Sequence, residues 1–211
     1  MNNERYPKRT GILGGTFNPI HVGHLILAEN AMEMCDLDKV LFIPSGCSYL
    51  KDPEEIAETR HRVAMTELAI KDNDRFEISV IEADRPGNSY TYETLELLTE
   101  AAPDTGFYYI VGADTLLFME NWKKPEEIFK RCTVVCAKRD GHTGKALEEK
   151  AAYLRDRFSA DIIIMDVSET NVSSSMIRNL LAEGKSCRYY LADPVLGYIK
   201  ENGLYSNKRT K

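Results

Sequence analysis

The stretch RTGILGGTFNPIHVGH, residues 9 to 24, decides the fold. It reads first as a strand that buries Ile12 and Leu13 and is ended by Gly14 and Gly15. Pro19 closes the extended segment, and a helix is predicted over 22–34, with Leu25, Ala28 and Met32 spaced along one apolar face. A glycine turn leading into a helix N-terminus offers free N–H groups and a positive dipole end to an anion. Two common phosphate fingerprints fail. The glycines at 11, 14, 15 and 23 do not fit GxGxxG, and no Gly-Lys-Ser/Thr follows the turn. What remains is the turn Gly14-Gly15-Thr16-Phe17 and a pair, His21 and His24, three apart and therefore on one helical face. Two imidazoles can donate hydrogen bonds to phosphate oxygens and, when protonated, oppose their charge. A metal pair or ordinary capping histidines are the competing readings. The HExxH spacing is absent and no carboxylate lies between the two, which favours phosphate.

The rest of the chain alternates in the same way. KVLFIP (39–44), GFYYIVG (106–112), CTVVCAK (132–138) and DIIIMDV (161–167) read as strands apolar on both faces, and RFEISVIEAD (75–84) as strand-like. Helices are predicted up to about residue 70, over 91–102, from 114 to 119, over 124–130 and near 144–157, with two short ones at 175–183 and 193–201. Such an alternation implies an α/β fold, a doubly wound and mostly parallel sheet covered on both sides, with short C-terminal helices. Ligands then belong at the carboxyl ends of the strands. The 211 residues suit a single domain over 1–211, its C-terminal helical part starting at about 173.

Composition narrows the ligand. The formal net charge of −6 argues against a broad nucleic-acid surface, and basic runs with interleaved aromatics are missing. A polyanion must be met by a few local cations, which points to a small molecule in a pocket. Five cysteines (Cys35, Cys47, Cys132, Cys136 and Cys187) form no CxxC pair, and no histidine lies near Cys132 and Cys136, so they read as reduced core thiols. No apolar run approaches the roughly 20 residues that span a bilayer, and the polar start MNNERYPKRT does not read as a signal peptide. The expected location is the cytoplasm.

GGTFNP with His21-Val22-Gly23-His24 resembles the T/HxGH signature of the nucleotidyltransferase superfamily. VSSSMIRNLL (172–181) resembles its second signature, ISSTxIR, with serine in place of threonine at Ser175. Taken alone, hydroxyls at a helix start are ordinary N-caps; Arg178, one turn further, adds a cation within reach of phosphates gathered there. The resemblance implies a Rossmann-like nucleotidyltransferase fold. A nucleophile carried by the substrate attacks the α-phosphorus of a nucleoside triphosphate, and pyrophosphate leaves. It implies catalytic roles for His21, His24 and Arg178, contacts of Ser174 and Ser175 with the β- and γ-phosphates, and ATP contacts along Gly14, Gly15, Thr16 and Phe17. No protein nucleophile is needed, and an ionised phosphate monoester hardly needs a base, so the protein's work is positioning and charge stabilisation. Mg²⁺ is expected with ATP, held mainly by phosphate oxygens and water, because no acidic cluster accompanies the histidines.

Further stretches resemble one branch, the bacterial nicotinate-nucleotide adenylyltransferases. Asn88-Ser89-Tyr90-Thr91 resembles the SYT segment in which backbone N–H groups at a helix start receive the nicotinate carboxylate; Thr91 as a plain helix cap is the alternative. Trp122, in ENWKKPEE, matches a tryptophan that stacks on the pyridine ring, whereas a lone tryptophan is more often core packing. VLGYIKENGLY resembles that branch's ending. Gly112-Ala113-Asp114 lies at the end of a strand; the resemblance gives Asp114 the ribose hydroxyls, and a helix N-cap is its alternative. Arg139 matches the position lying against adenine. Lys51 follows Ser48-Tyr49-Leu50 where relatives often carry Pro-Pro-His, and is expected on phosphate or as a solvated loop lysine. Arg60 and Arg62 are weaker candidates for a phosphate contact and read rather as ordinary helix-surface charges. The expected reaction transfers the adenylyl group of ATP to nicotinate mononucleotide, giving deamido-NAD and pyrophosphate in NAD biosynthesis. Preference for the amidated mononucleotide, or a nucleotide-sensing module that binds without turnover, are the alternatives, and a homo-oligomer is left open.

Overall fold

A computed structural model of the chain describes residues 7–46, 56–138, 143–167 and 171–206. Six strands are present: β1 (Arg9–Gly15), β2 (Lys39–Pro44), β3 (Phe76–Ile78), β4 (Gly106–Gly112), β5 (Thr133–Lys138) and β6 (Ile162–Asp166). Eight α-helices alternate with them: α1 (Val22–Met34), α2 (Thr59–Ile70), α3 (Thr91–Ala101), α4 (Ala113–Phe118), α5 (Pro125–Phe129), α6 (Thr143–Phe158), α7 (Ser174–Ala182) and α8 (Asp193–Glu201). The sheet order is β3-β2-β1-β4-β5-β6. The pairings of β1 with β4, β4 with β5 and β5 with β6 are parallel. The expected doubly wound α/β fold is the one found.

The chain clusters into two compact units, each built from three separate segments. The first takes in Met1–Gly14, Leu27–Leu41 and Ser89–Glu169. Its core is the set of strand residues apolar on both faces: Ile12, Val40, Ile110, Val134, Val135 and Cys136 are all buried. Parallel pairing brings the carboxyl ends of β1, β4, β5 and β6 to one edge, which is where Gly14 and Gly112 fall. The second unit takes in Gly15–Ile26, Phe42–Asn88 and Thr170–Lys211. It buries Phe17, Ile20, Phe42, Ile43, Met65, Ile177, Val195 and Ile199.

Two sequence expectations needed adjustment. The strand expected over 75–84 stops at Ile78: Ser79 N–H still donates to the Phe42 carbonyl, but Val80 is already 37% exposed and Ile81 lies in a turn. Along α1 the buried residues are Ala28, Ala31 and Met32, and Leu25 is only half-buried. Four of the cysteines are described, and all four are free and buried. Burial pushes the Cys132 and Cys136 thiols up to about 12, so they act as core filler and not as nucleophiles. Among the described residues no helix is long and apolar enough to cross a membrane.

Candidate active site

The second unit holds the two histidines. β1 ends at Gly15, where an added Cβ would lie 3.0 Å from the Phe17 ring, so the turn closes on a residue without a side chain. Phe17 itself takes a left-handed φ of 48°, a conformation that costs a non-glycine residue roughly 1–2 kcal/mol. The Asn18–Pro19 peptide is cis. The turn then enters α1, and His21 and His24 come together, their ring centroids 3.8 Å apart. The backbone N–H of His21 donates to His24 Nδ1 at 3.2 Å. With Nδ1 accepting, neutral His24 carries its proton on Nε2 and presents that nitrogen as a donor. The Phe17 ring meets the His24 ring edge-on at 5.1 Å.

His21 is a different group. It is buried, and its Nδ1 has no hydrogen-bond partner among the described residues. Burial lowers its pKa to about 4, so the imidazole is neutral at pH 7 in the free chain. A polyanion placed beside it favours the protonated form.

α7 meets the same turn. Ser173, not Ser174 or Ser175, is its N-cap, accepting from Met176 N–H at 3.2 Å. Ser174 Oγ donates to the Pro19 carbonyl at 2.8 Å. Arg178 donates from Nη1 to the Asn18 carbonyl at 2.9 Å and from Nη2 to Ser175 Oγ at 3.3 Å. His21, His24, Thr16, Phe17, Ser174, Ser175 and Arg178 thus belong to one local constellation.

Arg62 is the correction. Expected on a helix surface, it is 1% exposed. Its guanidinium donates to the carbonyls of Ala57 (3.0 Å), Thr16 (2.9 Å), Ser45 (2.7 Å) and Gly46 (3.0 Å) and to Thr59 Oγ1 (2.9 Å). A fork with five donors can satisfy several loop carbonyls at once, which no other side chain can do. Arg60 is the surface charge it was read as, paired with Glu58 at high exposure. Nothing in the local pattern separates the two arginines; only the distant turn does.

The first unit holds Tyr109, Trp122 and the start of α3. An added Cβ at Gly14 would lie 3.0 Å from Tyr109 Oη, and Tyr109 meets Trp122 edge-on at 6.2 Å. Trp122 is half-buried, a wall residue more than a core one. The Lys123 ammonium sits 4.0 Å over the Tyr90 ring and that of Lys124 4.4 Å over Tyr92, which ties the Trp122 segment to the start of α3. No side chain caps that start; its N-cap is Tyr90, so Thr91 is not the cap. Of the first N–H groups of α3, that of Glu93 donates to the Tyr90 carbonyl at 3.1 Å. At the end of β4, Gly112 is the N-cap of α4, and an added Cβ there meets nothing within 4 Å. Asp114 is exposed in the first turn of α4 and is not its cap. Lys51 and Arg139 lie outside the described residues.

A family model described as cytidylyltransferase-like matches residues 12–180. The chain is 42% identical over 198 residues to the probable nicotinate-nucleotide adenylyltransferase of Lachnoclostridium phytofermentans, covering 94% of this chain and 99% of that one. It is 39% identical over 205 residues to the probable enzyme of that name in Halalkalibacterium halodurans, covering 97% and 94%. The chain belongs to the nicotinate-nucleotide adenylyltransferase family. Its fold also matches the Plasmodium falciparum nicotinic acid mononucleotide adenylyltransferase complexed with NaAD, with a TM-score of 0.76 at 19% identity over 94% of this chain and 98% of that one. The same enzyme complexed with APC matches with a TM-score of 0.74 at 18% identity, over 94% and 98%. For an adenylyltransferase of this family, Arg62 and Tyr205 are the residues that sequence reasoning passed over. Tyr205 Oη donates to Asn18 Oδ1 at 2.8 Å, inside the same constellation.

Proposed function

We propose that the chain transfers the adenylyl group of ATP to nicotinate mononucleotide. A phosphate oxygen of the mononucleotide forms the new bond to the α-phosphorus of ATP, the bond to the β-phosphate oxygen breaks, and deamido-NAD and pyrophosphate are the products. One observation carries the choice of reaction: the Thr16–His24 turn gathers His21, His24, Ser174 and Arg178 in one place. His24 Nδ1 accepts a backbone N–H and Ser174 Oγ donates to a carbonyl. What the turn offers a ligand is donors and positive charge, so the attacking atom comes from the substrate. His24 Nε2, His21 and Arg178 are assigned to the charge that develops on the departing pyrophosphate. Ser174, Ser175 and the backbone of Gly14, Gly15, Thr16 and Phe17 are assigned to the triphosphate. Gly112, Asp114 and Arg139 are assigned to the nucleoside, and Lys51 to phosphate.

The acceptor is chosen by the relatives' shared name and by the first unit. Trp122 supplies a flat apolar face for a pyridine ring, and a helix N-terminus, here the start of α3 at Tyr90–Thr91, favours a carboxylate over a neutral amide. Among the described residues no three His, Cys, Asp or Glu side chains gather as a metal cage. The donors at the turn suit phosphate, so Mg²⁺ enters with its substrate, Mg-ATP, and neutralises phosphate charge.

The test is pyrophosphate release from Mg-ATP with nicotinate mononucleotide, nicotinamide mononucleotide and pantetheine phosphate offered separately. We expect kcat/KM for the first to exceed that for the second by at least about tenfold, a difference of about 1.4 kcal/mol. Equal use of acid and amide removes the role of the α3 start. Turnover of pantetheine phosphate alone removes the acceptor assignment altogether.

A further inference from the structure

We infer that Tyr205 is a positioning residue that holds the phosphate turn in its working shape, an inference that rests on the reaction proposed above. The turn needs holding, because Phe17 sits at a left-handed φ of 48°. It is held through its carbonyls. The Thr16 carbonyl accepts from Arg62 at 2.9 Å, the Asn18 carbonyl from Arg178 at 2.9 Å, and the Pro19 carbonyl from Ser174 at 2.8 Å. The Asn18 side chain is fixed separately: its Oδ1 accepts from the Ala57 N–H at 3.0 Å and from Tyr205 Oη at 2.8 Å. Donors from α2, α7, the Ala57 segment and the chain after α8 thus converge on three residues of this stretch, Thr16, Asn18 and Pro19. Carbonyl oxygens tied to guanidinium and hydroxyl donors keep their negative ends off an incoming phosphate.

Tyr205 is the member whose hold can be removed alone. Arg178 and Ser174 are assigned to phosphate themselves, and Arg62 also carries the Ser45 and Gly46 carbonyls. Tyr205 is tied to the turn by its hydroxyl bond to Asn18. Burial raises its phenol above the usual range, and the Arg178 and Arg62 guanidinia pull it back down, which agrees with all three lying close together. Its neighbour in the same C-terminal part, Tyr198, makes a like bond elsewhere, its Oη lying 2.9 Å from His61 Nδ1.

The experiment compares Tyr205→Phe with Tyr198→Phe, each losing one hydroxyl. Tyr205→Phe is expected to lower kcat with Mg-ATP and nicotinate mononucleotide about tenfold, as small misplacements of a phosphate site do, while KM for the mononucleotide stays within about twofold. Its affinity for α,β-methylene-ATP, read by calorimetry, is expected to fall about tenfold. Tyr198→Phe should keep both values within about twofold of the parent and lose a similar amount of thermal stability. Tyr205→Phe with the parent's kcat and analogue affinity overturns the inference, and so does an equal loss in both variants. A parent protein silent with nicotinate mononucleotide counts against the reaction alone, because the analogue titration still decides on Tyr205.

Discussion

His21 and His24 are the same side chain three positions apart, and their surroundings make them different tools. His24 keeps a fixed tautomer and offers Nε2–H; His21 is buried with a pKa near 4. The burial of His21 has a consequence for stability. Its folded pKa lies below the unfolded value of about 6.5, so between the two the unfolded chain binds the extra proton. Stability is therefore fullest above about pH 6.5 and falls as the pH drops toward 4. Between pH 7 and pH 5 this single group costs about 2 kcal/mol. His21→Asn should lose about that much less stability over the same interval, measured by urea unfolding at the two pH values. Parallel losses in the two proteins would mean that His21 is not the group responsible. At this scale the sequence was read unevenly. The histidine pair and Arg178 were legible because their spacing on a helix is local. Arg62 and Tyr205 were not, because a charge in TRHRV or a tyrosine after ENGL looks like surface until a turn some 46 or 187 residues away supplies its acceptors.

Among the elements, the four inner strands β1, β2, β4 and β5 were legible as unbroken apolar runs, since burial on both faces leaves no polar position to confuse the period. β3 was over-read. Val80 and Ile81 extend the pattern of Phe76 and Ile78, but the chain turns after Ser79, and a turn that relies on tertiary contacts carries no strong local signal. Tyr109 on β4 meets Trp122, the start of α3 meets its neighbours Lys123 and Lys124, and no spacing rule joins these pieces. Their joint prediction is sharp. Trp122→Ala should raise KM for nicotinate mononucleotide about tenfold and leave KM for ATP within about twofold, in steady-state pyrophosphate release. A rise confined to the ATP KM, or none in either, would make Trp122 a packing partner of Tyr109 and nothing more.

For the whole molecule, the account is one of division of labour. On the reaction proposed above, a chain of net charge −6 would meet two anionic substrates with few cations, chiefly Arg178, and otherwise with imidazole, hydroxyl and backbone donors. It supplies geometry and charge stabilisation, and the substrates supply the reacting atoms. The rival account makes a histidine the first acceptor of the adenylyl group, with a covalent intermediate passed on to the mononucleotide. The two differ in the stereochemical course at the α-phosphorus. The most direct measurement uses ATP made chiral at that phosphorus with oxygen isotopes and reads the configuration in the deamido-NAD formed. Inversion, the mark of one in-line displacement, is the predicted result; retention, the mark of two, would contradict it.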